Sequence, residues 1–488
     1  MFKKDRKRRI IYNDDSDQQF VRLNRPPYKL IDEQSYIDAR TTPTFDTQVD
    51  TYVWNVGNGA TPPWGPWAKL NNYIVHPFLG THQYATDVII RECHSKNMEI
   101  WGSLRINDSH DASAKKLEHT NDSFKSEHPE YLLGNIADRD LGKEHIERYQ
   151  WAALNFEHAE VRRHRLSYIK DNAESHDFDG YELDFTRFIW NFPQGREIEL
   201  APLMTDFIKK VRSVLNDIGK NRGREYTLIV HVPDSVETSL MLGLEVEKWM
   251  SSELVDIVVA GMGFNPYKMP IDNWNEIGSR YGIPIYTALN TRPLFKLYRD
   301  TFRSSSAWIK YIRGVADWWW YCNVDGIYLF NLFAHCEFNT KPLDKEIVYK
   351  PLDEIGEISS LQKKNKIHGI DSGVSMFTQG SVMSELPIVL DINERRIALK
   401  IGSDASDKDA IFVMHAWLNG DDRDARIWMR VNHVSVELIK TGDHRTATLP
   451  KGVLRSGNND FTMYCNIESG RNNYVIVNDV FLEVIFER

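Results

Sequence analysis

The chain is 488 residues long, enough at roughly 100 to 200 residues per domain for two or three domains, one of them a large barrel, and too long for a small disulfide scaffold. With 42% hydrophobic and 26% charged residues it has material for a sizeable core, which excludes intrinsic disorder. Sixty basic against 69 acidic side chains leave a formal charge of −9, which disfavours a protein that grips nucleic acid, whereas 14 Trp and 21 Tyr supply flat apolar faces with a polar edge, surfaces suited to sugars.

The basic start Met1 to Arg9 leads into a strand-like segment with no signal-peptide core behind it, and no apolar run reaches the roughly 18 residues of a membrane span. As written the chain reads as soluble, with no membrane partner; a leader already removed would leave the same sequence, so the compartment stays open. Short β-branched or aromatic runs then recur at Arg9 to Tyr12, Thr51 to Val56, Met98 to Leu104, Asp179 to Phe185, Tyr226 to Val232, Val255 to Gly261, Pro284 to Leu289 and Asp325 to Phe330. Between most of them lie amphipathic stretches such as Leu200 to Ile218, whose Leu203, Phe207, Val211, Val214 and Leu215 form the stripe of a helix packed on a sheet. Eight alternating units predict a (β/α)₈ TIM barrel over residues 1–350, with long insertions after strands two and three. Residues 351–375 are polar and read as a linker or transition. From 376 to 488, seven short strands between Gly, Asn and Asp turns predict a β-sandwich accessory domain. Its acids Asp404, Asp407, Asp409, Asp421 and Asp422 read as a loop calcium site or as solvated turns. Cys93, Cys322, Cys336 and Cys465 lack C-x-x-C spacing, so neither a zinc site nor a disulfide framework is expected.

In such a barrel the chemistry comes from the C-terminal ends of the strands. Polar residues crowd those exits: Asp14 and Asp15 after strand one, Arg105, Asp108 and His110 after strand three, His231 and Asp234 after strand five, Asn290 after strand seven, and Asn331, His335 and Glu337 after strand eight. On strand four, alternation turns Glu182 and Asp184 inward together and Leu183 and Phe185 outward. Like charges so placed raise the pKa of one of them, and Arg187 can hold the other ionised. Glu182 has a second reading, as a structural acid paired with Arg105. Glu182, Asp184, Asp108, His231 and Asn290 are expected to share one pocket.

The run Asp179-Gly180-Tyr181-Glu182-Leu183-Asp184-Phe185-Thr186-Arg187, or D-G-x-E-x-D-F-x-R, resembles the fourth strand of glycoside hydrolase TIM barrels. An Asp followed three residues later by Arg is similar to the strand-borne nucleophile of α-galactosidase-type enzymes, here Asp184 and Arg187. The chitinase-type signature D-G-x-D-x-D-x-E is also similar, but its terminal acid falls on Thr186, so the substrate-assisted mechanism is not implied. The resemblance implies hydrolysis of a carbohydrate by two carboxyl groups, one protonating the leaving oxygen and one attacking the anomeric carbon or activating water. Asp184 is the candidate for the second role. Asp234 leads for the first, with Asp108, Asp14, Asp15 and Glu337 behind it and Glu182 after them. Arg187, Arg105, His110, His231 and Asn290 are candidate substrate-binding residues, with Trp54, Trp64 and Trp67 as stacking surfaces. No H-x-H follows strand one, no lysine ends a strand and no Gly-rich phosphate loop follows strands seven or eight, so no cofactor is expected. Two alternatives remain: a catalytically silent glycan-binding barrel, and a hydrolase or lyase whose metal is held by Asp14, Asp15, Asp108 and Asp184.

Overall fold

The computed structural model describes residues 7–16, 31–56, 82–117, 122–290, 294, 296–337, 342–372, 380–420, 425–467 and 474–486. Eight parallel strands pair in chain order and the eighth pairs with the first, closing a barrel. They are β1 Ile10–Asp14, β2 Val49–Asn55, β3 Glu99–Arg105, β4 Gly180–Asp184, β5 Thr227–Val232, β6 Ile257–Ala260, β7 Ile285–Asn290 and β8 Gly326–Phe330, each overlapping a run read from the sequence. Period-two alternation decides what faces in. On β3 the chain sends Trp101 into an interior cluster with Ile11, Val53, Ile229, Tyr286 and Tyr328, while Ile100 and Leu104 join the outer core under the helices. Gly180 and Gly326 have a packing reason, since a Cβ on either would strike the rings of Trp101 and Tyr286. Below them Arg8 closes the N-terminal mouth, with two hydrogen bonds to Glu99 at 2.5 and 2.8 Å.

The helix Glu197–Arg222 buries Leu200, Met204, Phe207, Ile208, Val211 and Leu215 against the barrel. Glu197 and Glu199 complement its N-terminal dipole, and Gly223, left-handed at φ 68°, ends it. The helix Ser306–Tyr321 carries the Trp318-Trp319-Trp320 run; Trp319 is fully buried and donates to the Pro266 carbonyl. No helix among the described residues is long and apolar enough to cross a membrane.

The C-terminal part is two antiparallel sheets. One follows the order β10 Ile388–Leu390, β18 Val475–Phe486, β12 Ala410–Gly420, β16 His444–Thr448, β15 Ile439–Thr441, with β9 Lys366–Asp371 also on β18; the other runs β11 Arg395–Ile397, β17 Phe461–Cys465, β13 Ile427–Val431, β14 Val434–Glu437. The stretch expected as a linker or transition holds β9, which is missed because Lys366, His368 and Asp371 interrupt its apolar positions, although Lys366 and His368 are buried. β16 is equally polar, yet Arg445 is buried and donates to the Leu438 and Ala425 carbonyls. β9 packs on the helix Ser306–Tyr321, where Gly314 leaves space for the Ile367 carbonyl. Lys310 to Glu483 and Lys296 to Asp479, each 2.6 Å, tie the barrel to this sheet. In the turns, Asp404 pairs with Lys366 and Asp409 with Lys363, so neither is an open ligand; Asp421 and Asp422 lie outside the described residues.

Candidate functional site

Tyr181, Leu183 and Phe185 pack in the outer core, so Glu182 and Asp184 face the barrel interior as alternation requires. Asp184, 3% exposed, accepts hydrogen bonds at Oδ1 from the Thr186 amide and hydroxyl, both at 2.7 Å; nothing among the described residues donates to Oδ2. Glu182 lies one inward position deeper. Its Oε1 accepts from the Ser103 hydroxyl at 2.6 Å and the Tyr328 phenol at 3.1 Å, and its buried Oε2 has no partner among the described residues. Burial, then the Asp184 charge, raise the Glu182 carboxyl to about 8 against the pull of those two donors. It is therefore neutral at pH 7.

Arg105 does not pair with Glu182. One layer up from Ser103 on the same face of β3, it reaches instead across the rim to Asp15, and lies 3.4 Å from Asp108. Asn331, left-handed at φ 53°, completes the Asp15 cradle: its Nδ2 donates to Asp15 Oδ2 at 2.5 Å and its Oδ1 accepts from the Asp15 amide at 3.0 Å. Asn55 Nδ2 adds a contact at 3.4 Å. Burial acts to raise the Asp15 carboxyl, but the Arg105 charge, the Asn331 hydrogen bond and the Arg187 charge hold it below its usual value. Asp108 takes the His110 amide and Nδ1, both at 2.8 Å; against burial, His110 and then Arg105 keep its carboxyl well below the usual range. Arg187 donates to His110 Nε2 at 2.9 Å, which makes His110 the link between Asp108 and the rim guanidinium. Burial and the neighbouring Arg105 lower the Arg187 pKa, offset by Asp15, Asp108 and Asp184.

Other expected site residues are placed elsewhere. Asp234 is 1% exposed and both its oxygens are occupied, Oδ1 by the Met262 amide at 2.6 Å and Oδ2 by the Val382 amide at 2.8 Å. Its own amide donates to the Gly380 carbonyl, so it fastens the segment entering the sandwich to the exits of β5 and β6. Burial raises its carboxyl to about 7 against those amides. Asp234→Asn puts a donor where an acceptor is needed and should cost about 2 to 3 kcal/mol in urea unfolding with turnover per folded molecule unchanged; normal stability with lost turnover would return it to the mechanism. Asp14 points outward and is held by Arg40 at 2.8 Å and Tyr52 at 2.7 Å. Trp54, 2% exposed, also faces outward and donates to Thr86, so it packs between strand and helix and presents no face to a sugar. Asn290 ends β7 with its amide on the Gly263 carbonyl and Nδ2 3.5 Å from the Met262 carbonyl. Trp64 and Trp67 lie outside the described residues, as does the side chain of Glu337.

Four residues that complete the cluster were not singled out from sequence, Ser103, Tyr328, Thr186 and Asn55, and Asn331 was named only as an exit residue of strand eight. Ser103 and Tyr328 are legible in principle, being inward by the same alternation that turns Glu182 inward. Asn55 was passed over because it lies within the predicted strand Thr51 to Val56 and not at its exit. Among the described residues, no group of three or more His, Cys, Asp or Glu is placed to hold a metal ion, and Asp14 is walled off from the other three acids of the metal alternative.

No protein-family model and no curated protein sequence matches the chain. Among solved structures it is similar to an α-amylase from Geobacillus thermoleovorans complexed with acarbose, at 13% identity, covering 95% of this chain and 100% of that one, with a TM-score of 0.44. An endo-β-1,4-mannanase from Thermotoga petrophila matches at 9% identity over 98% of both chains, with a TM-score of 0.43. An α-L-fucosidase isoenzyme from Paenibacillus thiaminolyticus matches at 10% identity over 75% of this chain and 51% of that one, with a TM-score of 0.44. Likenesses of this size say nothing of what this chain acts on, and the fold itself rests on the strand pairing.

Proposed function

We propose that the rim hydrolyses a glycosidic bond, with Asp15 as the ionised carboxylate that attacks the anomeric carbon or activates water and Asp184 as the proton donor to the leaving oxygen. The observation that carries this reading is the unequal surroundings of two acids on different strand ends. Asp15 is held by Arg105 and Asn331 and its carboxyl lies below its usual value, so it starts the reaction ionised. Asp184 has an oxygen free of donors among the described residues and faces the His231 imidazole at 3.7 Å. Asp108 is saturated by His110, Asp234 by two amides, and Glu182 is fully buried, which leaves Asp15 and Asp184 to flank a sugar. This exchanges the role that the strand-four resemblance implies for Asp184. Arg187 and His110 are proposed to contact sugar hydroxyls, and Trp64 and Trp67 to stack on a ring.

The test is a panel of α- and β-linked oligosaccharides and aryl glycosides, scored for new reducing ends. Wild type should release them, and Asp15→Asn should lose turnover on every substrate whatever its leaving group, because no proton donation replaces a missing attack. Binding in calorimetry with no release by the wild type would favour the glycan-binding barrel instead, and activity abolished by a chelator would favour the metal reading.

A further inference from the structure

His231 stands on the inward face of β5 beside Asp184. Its Nε2 lies 2.9 Å from the Gly261 carbonyl, and a carbonyl only accepts, so Nε2 carries a hydrogen. That leaves Nδ1, which is buried, has no hydrogen-bond partner among the described residues, and stands 3.7 Å from Asp184 Oδ1. A bare lone pair aimed at a carboxylate in a buried site is unfavourable, whereas a proton on either group turns the contact into an attraction. Closing to a hydrogen-bonding separation of about 3 Å is a small adjustment.

We propose that His231 is the positioning residue of Asp184 and that the two hold one proton between them, on Nδ1 while the rim is empty and on the carboxyl when a substrate is seated. In the transfer the Nδ1–H bond breaks, a carboxyl O–H bond forms, and no other bond changes. The carboxyl then gives that proton to the leaving oxygen, and water supplies the next one. The Gly261 carbonyl fixes the ring so that the proton can leave from Nδ1 alone. The purpose of the pair rests on the glycosidase reading; its existence does not.

The groups facing the pair are few. Tyr328 from β8 lies against the imidazole with ring centroids 4.9 Å apart, and its phenol leads to Glu182 on β4; Phe330 from β8 stands at 6.5 Å. Arg187 adds its charge from above. Burial holds the His231 pKa below its usual value, against the Asp184 charge and the Gly261 carbonyl, which act to raise it.

The experiment is ¹⁵N imidazole spectroscopy on the full chain without substrate, in wild type and Asp184→Asn, across pH 5 to 9. Expected is a protonated His231 Nδ1 at the acid end in the wild type, with its midpoint falling by a unit or more when the Asp184 charge is removed. An Nδ1 unprotonated throughout in the wild type, or a midpoint that Asp184→Asn does not move, overturns the proposal. A second arm follows turnover against pH in His231→Asn, whose amide stands where Nδ1 was but cannot pass a proton on. Its kcat should fall about 10- to 100-fold at unchanged KM, and the limb of the profile set by the shared proton should vanish; a profile of unchanged shape counts against it. If the wild type cleaves no glycoside, the functional reading fails while the spectra still decide the proton.

Discussion

Exchanging Asp184 for asparagine should cut kcat on an unactivated oligosaccharide by about 10²- to 10⁴-fold, the range of a lost general acid, while turnover of a dinitrophenyl glycoside falls far less. The leaving group decides the difference, because dinitrophenolate departs without a proton and an alkoxide does not. The fold should hold, since the asparagine carbonyl can still accept the Thr186 amide and hydroxyl now bonded to Oδ1. KM should change little, because the interaction lost is one made in the transition state. Equal losses on both substrates would mean that Asp184 attacks the sugar, as the Asp184 and Arg187 pair of the strand-four motif implies, and would pass proton donation to Asp15. A variant with wild-type kcat on both would remove Asp184 from the mechanism.

The barrel was legible because its strands are buried on both faces, so β-branched and aromatic runs separated by helical stripes report them directly. The inward turn of Glu182 and Asp184 followed from period two alone. What sequence could not supply is which acid answers to which base. Arg105 was expected on strand four, the nearest carboxyls in the strand order, yet it leans across to Asp15, because a long guanidinium at a barrel mouth can choose among several strand ends. Asp234 stands at a strand exit like the others, and its use as an anchor for residues 380–382 depends on a segment almost 150 positions later in the chain. In the sandwich, β9 and β16 escaped notice for a related reason, in that buried Lys366 meets Asp404, His368 the Tyr267 hydroxyl and Arg445 the Ala425 carbonyl, partners distant in the chain that the assembled fold provides.

Glu182 is expected to make the protein less stable as pH rises, and Glu182→Gln should remove that slope. Its folded carboxyl is raised to about 8 from the ordinary value of 4.5. Between those two values the folded chain holds a proton that the unfolded chain has released, so stability declines with rising pH, by about 1.4 kcal/mol per unit for one proton. Below 4.5 both states are protonated and the penalty is absent; above about 8 both are ionised and the loss levels off after several kcal/mol. Glutamine does not titrate, and its carbonyl can accept the Ser103 and Tyr328 hydroxyls that Oε1 accepts now. In urea unfolding the two proteins should therefore agree near pH 4.5 and diverge towards pH 8 in favour of the variant. Parallel curves would show that the Glu182 carboxyl is charged in the folded chain despite its burial. The same variant tests the assignment of roles at the rim. Glu182 is fully buried beneath Asp184, out of reach of a sugar, so Glu182→Gln should keep most of its turnover. A collapse of kcat with the Gln variant folded and stable would make Glu182, whose carboxyl is raised to about 8, the proton donor in place of Asp184.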